Sequence, residues 1–295
     1  MPELPEVEIT ARRLGAALTG AEVGSALAPG MVAMKTVDPP LEALVGRRVE
    51  ATRRIGKMPI VEFGAPGDWG DADAGAPGPL DLLVHLMSAG RLQLFEKRAS
   101  LRDRASRVLI RLADGRELRL REFGTKQRAW AKLLREGKVA GDEMVATLGP
   151  EAWPAPPLDE LERALDQPRH LHPLLRDQRA IAGIGRSWVD EILWEARLSP
   201  FKKGAELEGD EVERIYDALA VLGSAIEHYE REIGETVPDK LPMPLKVHRR
   251  EGEPCPRSGT TIEAVYFAEH QMNYCPEEQT GGRVLKDRRL SRLLK

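Results

Sequence analysis

Apolar positions change period along the chain, and each change marks an element. Val7, Ala11, Leu14 and Leu18 recur at a 4-3-4 spacing, one face of an α-helix. Pro5 suits the first turn of that helix, Glu6 and Glu8 complement its positive end, and Gly20 supplies a stop. From there to about residue 135 strand signals dominate. Arg107-Val108-Leu109-Ile110-Arg111-Leu112 and Arg116-Glu117-Leu118-Arg119-Leu120-Arg121 alternate at period two around Asp114-Gly115, a hairpin signature. Gly64 to Pro79 is rich in Gly, Pro, Ala and Asp and reads as a mobile loop between strands. Beyond about residue 138 the period lengthens again. Pro150 to Pro157 reads as a linker, and Val212, Ile215, Leu219, Leu222, Ile226 and Tyr229 predict one helix of roughly five turns with an acidic outer face. Short strand and turn signals around Cys255 and Cys275 close the chain.

These patterns predict an α+β chain in three parts: a β-rich domain opened by a helix (1–137), a helical domain (138–240) and a small hairpin module (241–295). With 42% hydrophobic and 31% charged residues, the chain can bury a core and stay in solution. No apolar run approaches the ~18 residues of a membrane span. Met1 to Glu6 has neither the basic start nor the apolar stretch of a secretion signal. Two cysteines are too few for a disulfide framework. The expectation is a cytoplasmic monomer without membrane contact.

Net charge is −3, which argues weakly against a polyanion partner, but the charge is sorted along the chain. Arg91 to Lys138 holds 15 basic and 6 acidic residues, a balance of +9, whereas Gly204 to Asp239 holds 2 basic and 11 acidic, a balance of −9. Such sorting permits a polyanion-facing surface on an acidic protein.

The first residues carry chemistry. Removal of Met1 leaves Pro2 as a secondary amine at the chain start. An α-amino group has a pKa of about 7.7–8.0 against about 10.4 for lysine, so near neutral pH far more of it is unprotonated. It can attack an aldehyde-level carbon and form an iminium. Glu3 lies beside it as an acid or base, and Glu6 can hold it or a water in place.

The sequence MPELPEVE at Met1 to Glu8 resembles the start of the formamidopyrimidine-DNA glycosylase and endonuclease VIII family. Three further stretches match that family in order. Arg53-Arg54-Ile55-Gly56-Lys57 resembles its Arg-x-Gly-Lys hairpin, and His85-Leu86-Met87-Ser88-Ala89-Gly90 its His-Leu-Gly-Met-Ser-Gly strand. Leu174 to Pro200 resembles its helix–two-turn–helix element. The tail from Asp287, with Glu122 to Lys126, looks most like an actinobacterial branch.

The resemblance implies an N-terminal β-sandwich, a helix–two-turn–helix domain and a β-hairpin finger. It implies a bifunctional DNA glycosylase/abasic-site lyase acting on double-stranded DNA with damaged bases or abasic sites, close to the nucleoid. Pro2 would attack C1′, Glu3 would pass protons, Glu6 would support them, and Lys57 would contact the phosphate beside the lesion. Gly185 and Arg186, at the opening of a helix, would hold another phosphate, with Arg186 replacing the family's Asn. His270 falls where the family has a finger arginine, and Met87 and Arg128 would fill the gap left by the extruded base. No cofactor is required by this chemistry.

The family finger spaces its cysteines C-x2-C-x16-C-x2-C, and here that spacing holds Cys255, Ser258, Cys275 and Glu278. The expectation is a finger without metal, held by Ile262, Val265, Tyr266 and Tyr274. The alternative is residual zinc bound by Cys255, Cys275, Glu278 and His248 or His270. Ile233 to Arg249 is too short for the loop that covers 8-oxoguanine in the purine-specific branch. A non-catalytic protein that binds damaged or abasic DNA on the same scaffold is the second functional reading.

Overall fold

The computed structural model describes residues 2–65, 78–100, 102–123, 126–267 and 270–286, without the side chains of Phe267 and His270. The expected mobile loop (mostly 66–77), part of Glu122 to Lys126 and the tail from Asp287 lie outside the described residues.

The chain divides into two compact units, one of residues 1–147 and 229–242, the other of residues 148–228 and 243–295. These boundaries differ from the sequence partition in two ways. The stretch 229–242 returns to the first unit, and the finger module joins the second.

In the first unit, helix α1 (Leu4–Leu18) precedes strands β1 (Val23–Leu27), β2 (Val49–Ile55), β3 (Met58–Phe63), β4 (Leu80–His85), β5 (Gly90–Phe95), β6 (Ser106–Leu112), β7 (Glu117–Glu122) and β8 (Trp130–Arg135). They form two four-stranded sheets, ordered β1-β6-β7-β5 and β2-β3-β4-β8. One apolar core joins them. It takes Val108, Ile110, Leu118 and Leu120 from the first sheet, Val61, Phe63, Leu82 and Val84 from the second, and Val7, Leu14 and Leu18 from α1. Each such side chain contributes roughly 1.5–3 kcal/mol on burial. The α1 backbone approaches β2 closely: a Cβ at Gly15 would lie 2.9 Å from Thr52 Oγ1.

The basic strands are less available than their alternation implies. Glu117, wholly buried, accepts from Arg111, from Arg119 and from the Ala99 N–H. Arg107 donates to the Ala129 carbonyl. Part of the local positive charge is therefore spent inside the fold. Arg47 is also interior, 1% exposed, and its guanidinium donates to the carbonyls of Gly64 (2.7 Å) and Gly78 (2.9 Å).

The second unit holds α2 (Leu158–Leu165), α3 (Leu171–Leu175), α4 (Arg186–Glu195), α5 (Gly209–Ala218), most of α6 (Ala220–Glu232), a hairpin of β9 (Glu263–Phe267) and β10 (His270–Tyr274), and α7 (Pro276–Thr280). The predicted single helix is two, because at Leu219 the N–H is shared between the Ile215 and Tyr216 carbonyls and the winding tightens. Pro150 to Pro157 is not a loose linker. Ala152 is fully buried and donates to Ala182, and the Trp153 indole fills the space over Gly223. Among the described residues no helix is long and apolar enough to cross a membrane.

Candidate functional site

The chain start is held by a reciprocal cap. Pro2 and Glu3 are buried ahead of α1; the Glu3 side chain accepts the Glu6 N–H, and Glu6 Oε2 accepts the Glu3 N–H at 2.9 Å. The other Glu6 oxygen accepts the Tyr229 hydroxyl at 2.6 Å. Burial raises the Tyr229 pKa, and the Glu6 and Glu3 charges raise it further, so the phenol stays protonated. Arg91 of β5 lies within electrostatic reach of Glu6 and donates to the Asp239 carbonyl at 3.0 Å. Burial lowers its pKa, and Asp239 and Glu6 work against that shift.

Lys57 stands at the β2–β3 turn, where Ile55 pairs with Met58 and Gly56 takes a left-handed φ of 53°. Strand β2 is fixed to α1 by Arg54 and Glu8, whose Nε and Oε2 are 2.9 Å apart.

Met87 and Arg128 lie on the two segments that cross between the sheets at one end of the sandwich. Gly90 pairs with Glu122 and His85 with Trp130, which brings β4–β5 and β7–β8 together. The His85 ring stacks on Trp130 at 5.2 Å, and its Nδ1 accepts the Met87 N–H at 3.1 Å. Burial lowers the His85 pKa and the Lys57 charge lowers it further, which keeps that nitrogen an acceptor. Met87 adopts φ 48°, unusual for a residue with a side chain. On the neighbouring segment the buried Glu122 carboxylate accepts the N–H groups of Arg128 and Ala129 and leaves the Arg128 side chain exposed.

In the second unit Gly185 caps α4 and Arg186, exposed, is its first residue. The preceding turn is organised by Gln178, whose amide donates to the Arg176 and Ile184 carbonyls and accepts the Gly183 N–H. Gly183 needs its freedom, with φ 103°. His270 opens β10 opposite Phe267, at the finger tip.

Two adjacent buried acids of α4 hold the root of the finger. Glu191 accepts the N–H groups of Lys246, Val247 and His248, each at 2.9 Å. Asp190 meets His248 Nδ1 at 2.7 Å, His172 Nε2 at 3.2 Å and the Asn273 N–H at 3.1 Å. His248 is thus engaged by Asp190.

The four finger positions do not fit a closed zinc site. Cys255 Sγ receives the Trp194 indole N–H at 3.4 Å, and Ser258 Oγ lies 3.2 Å from Cys275 Sγ. Burial opposes a Cys255 thiolate, but hydrogen bonds from Ser258 and its neighbours outweigh it and bring the pKa to about 7. Glu278 Oε2 lies between Arg197 Nε at 3.3 Å and Arg257 at 3.8 Å, where two guanidinium groups compete for its charge. Among the described residues no group of three or more His, Cys, Asp or Glu is arranged to hold a metal. Cys255, Cys275, Ile262, Trp194 and Val247 pack as one apolar cluster, and Val265 and Tyr274 form a second with Met272. Tyr266 departs from expectation: it is 55% exposed and bonds Glu251, because its strand position faces away from that cluster.

Sequence reasoning missed Tyr229, Arg91 and His85 as site residues. Tyr229 sat in an apolar helical stripe, and its one signal was being the only member with a polar tip.

The N-terminal domain of formamidopyrimidine-DNA glycosylase matches residues 1–126, and the helix–two-turn–helix domain of the same enzyme matches residues 148–236. The chain is 32% identical over 299 residues to a formamidopyrimidine-DNA glycosylase of Roseiflexus sp. (strain RS-1), covering 95% of this chain and all of that one. It is 37% identical over 158 residues to an uncharacterized formamidopyrimidine-DNA glycosylase-like protein of Mycobacterium tuberculosis, covering 53% of this chain and all of that one. Among solved structures, the MutM (Fpg) protein of Thermus thermophilus superposes with a TM-score of 0.75 at 28% identity, covering 94% of this chain and 98% of that one. The Lactococcus lactis Fpg in complex with abasic-site DNA shares the fold, with a TM-score of 0.80 at 23% identity over 94% of this chain and 99% of that one. Resemblance along nearly the whole length, with both domains in order, has one reading: the chain belongs to the formamidopyrimidine-DNA glycosylase family.

Proposed function

We propose that this protein is a bifunctional DNA glycosylase/abasic-site lyase of base excision repair, working in the cytoplasm on damaged or abasic duplex DNA. The observation that carries the reading is the buried Pro2-Glu3 start, fixed by the Glu6 carboxylate at 2.9 Å from the Glu3 N–H. With Met1 removed, the Pro2 nitrogen attacks C1′ of the flipped nucleotide, and the C1′–N bond to the base breaks. Glu3 supplies a proton during base loss and ring opening, leaving an iminium between Pro2 and the sugar. Loss of the C2′ proton then expels the 3′ phosphate, and hydrolysis of the iminium returns the amine.

Lys57, Gly185, Arg186 and His270 are assigned to phosphates and Arg128 to the gap in the duplex. Met87 changes its assignment. The six residues His85 to Gly90 have the length of the family's His-Leu-Gly-Met-Ser-Gly strand, and a φ of 48° at Met87 supports reading it at the glycine position. The exposed Ser88 then takes the void-filling place. A short hydroxyl fills less of the stack than methionine, so Arg128 bears more of that task.

The finger folds without metal, because hydrogen bonds and packing already use its degenerate ligand positions. The structural role that zinc plays elsewhere passes to Trp194 and to the Arg257–Glu278 pair.

Borohydride trapping on abasic duplex DNA tests the function. Wild-type protein with Met1 removed should give a covalent complex; Pro2→Gly or an N-terminal extension should greatly reduce it. Full trapping by a blocked N-terminus would remove Pro2 from the role and favour the non-catalytic binder with an adventitious lysine.

A further inference from the structure

Tyr229 is buried at 0% exposure, 223 residues away in sequence from the carboxylate it bonds. Its hydroxyl donates to Glu6 Oε1 at 2.6 Å, while Glu6 Oε2 accepts the Glu3 N–H at 2.9 Å. That N–H belongs to the peptide joining Glu3 to Pro2. The hydrogen-bonded path from phenol to reacting amine therefore passes through one carboxylate and one peptide plane. The end of α6 is also held on α1 from outside. Arg12 donates to the Glu230 carboxylate at 2.7 Å, and Arg13 donates to the Glu230 carbonyl at 3.0 Å. These contacts fix where the phenol points.

We infer that Tyr229 is a positioning residue for the Pro2 amine, orienting it through Glu6 and the Pro2–Glu3 peptide. The inference rests on the proposed lyase chemistry. A carboxylate turns about its terminal torsion at little cost unless both oxygens are tied. With one oxygen held by Tyr229 and the other by Glu3, the carboxylate plane and the chain start are set together. Tyr229 remains a donor at every working pH, since a buried phenol beside two carboxylates does not ionise. Removing the hydroxyl takes that donor from Oε1, and the turn of Glu6 that follows loosens the grip on the Glu3 N–H. Misplacement of a reacting group by ~1 Å can cost ~100-fold in rate.

Tyr229→Phe keeps the ring and its packing and removes only the donor. Single-turnover trapping at saturating protein on abasic duplex DNA should slow by about 10- to 100-fold, with Kd by fluorescence anisotropy within about twofold and Tm close to wild type. In a Glu6→Gln background the same substitution should add less than about twofold, because the group it acts through has changed. A packing role would cost the same factor in both backgrounds, and that result overturns the inference. So does an unchanged trapping rate in Tyr229→Phe, or a loss seen only in Kd. If the wild-type protein itself traps nothing, the functional reading has failed and this inference falls with it. If the wild type traps and Tyr229→Phe equals it, the function stands and only Tyr229 is removed.

Discussion

Glu191 offers a test of how the finger is held. Its carboxylate accepts three consecutive N–H groups, from Lys246, Val247 and His248, each at 2.9 Å. Val247 and His248 are buried and Lys246 is exposed, so water can replace the acceptor only for Lys246. Glu191→Ala strands two buried N–H groups, at ~1–3 kcal/mol each. Opposing this, the carboxylate is itself costly inside the fold, as its raised pKa from burial records. The net loss is about 3 kcal/mol, which at ~2–4 °C per kcal/mol lowers Tm by roughly 10 °C. Glu191→Gln keeps one carbonyl oxygen for Val247 and His248 and turns its NH2 toward Lys246, so it should cost only about 1 kcal/mol. Urea unfolding gives the stability difference, and hydrogen exchange localises it: the amides of residues 246–248 should lose protection in Glu191→Ala. Equal, sub-kilocalorie effects of both substitutions, or unchanged exchange at those amides, would refute the reasoning.

Three further outcomes are expected. The lowered pKa of His85 means the unfolded chain takes its proton first, at about 6.5. Its contribution is therefore full above that pH and declines as pH falls toward the folded value, so Tm of the wild type should drop more than that of His85→Gln between pH 7.5 and 5; equal slopes would sink the idea. DNA affinity should depend steeply on salt, and Arg186→Ala should reduce the slope of log K against log salt by about 0.9, one phosphate contact; a wild-type slope near zero counts against a DNA partner. Purified protein should carry substoichiometric zinc and keep its Tm after chelation, whereas Ser258→Cys with Glu278→Cys should bind about one zinc per chain by metal analysis; one tightly held zinc in the wild type would reverse the assignment.

Local patterns carried much of the fold into the sequence. The Val7 to Leu18 stripe and the Asp114-Gly115 hairpin are short-range features, and both elements form where the spacing places them. Long-range facts were less legible. Nothing at Leu219 announces that its N–H is shared between two carbonyls, since the one nearby glycine, Gly223, lies beyond the break. The alternating arginines of β6 and β7 predict a solvated basic face, yet Glu117 draws two of them inward, and only the partner reveals it. At the chain start, Glu6 is readable as an acid at the positive end of a helix, but the reciprocal cap with Glu3 and the hydroxyl donated from residue 229 are not. At Met87 the side chain reads as a wedge from sequence, whereas its left-handed backbone, φ 48°, is a feature that no single residue type announces.

Arg47 has a consequence for how this protein can vary or be altered. Because one interior guanidinium clasps the carbonyls of Gly64 and Gly78, the sandwich is sewn shut on both sides of the intervening segment. One interior side chain thus ties three separate stretches of chain, at Ala43, Gly64 and Gly78, so replacing Arg47 would loosen all three at once rather than one contact.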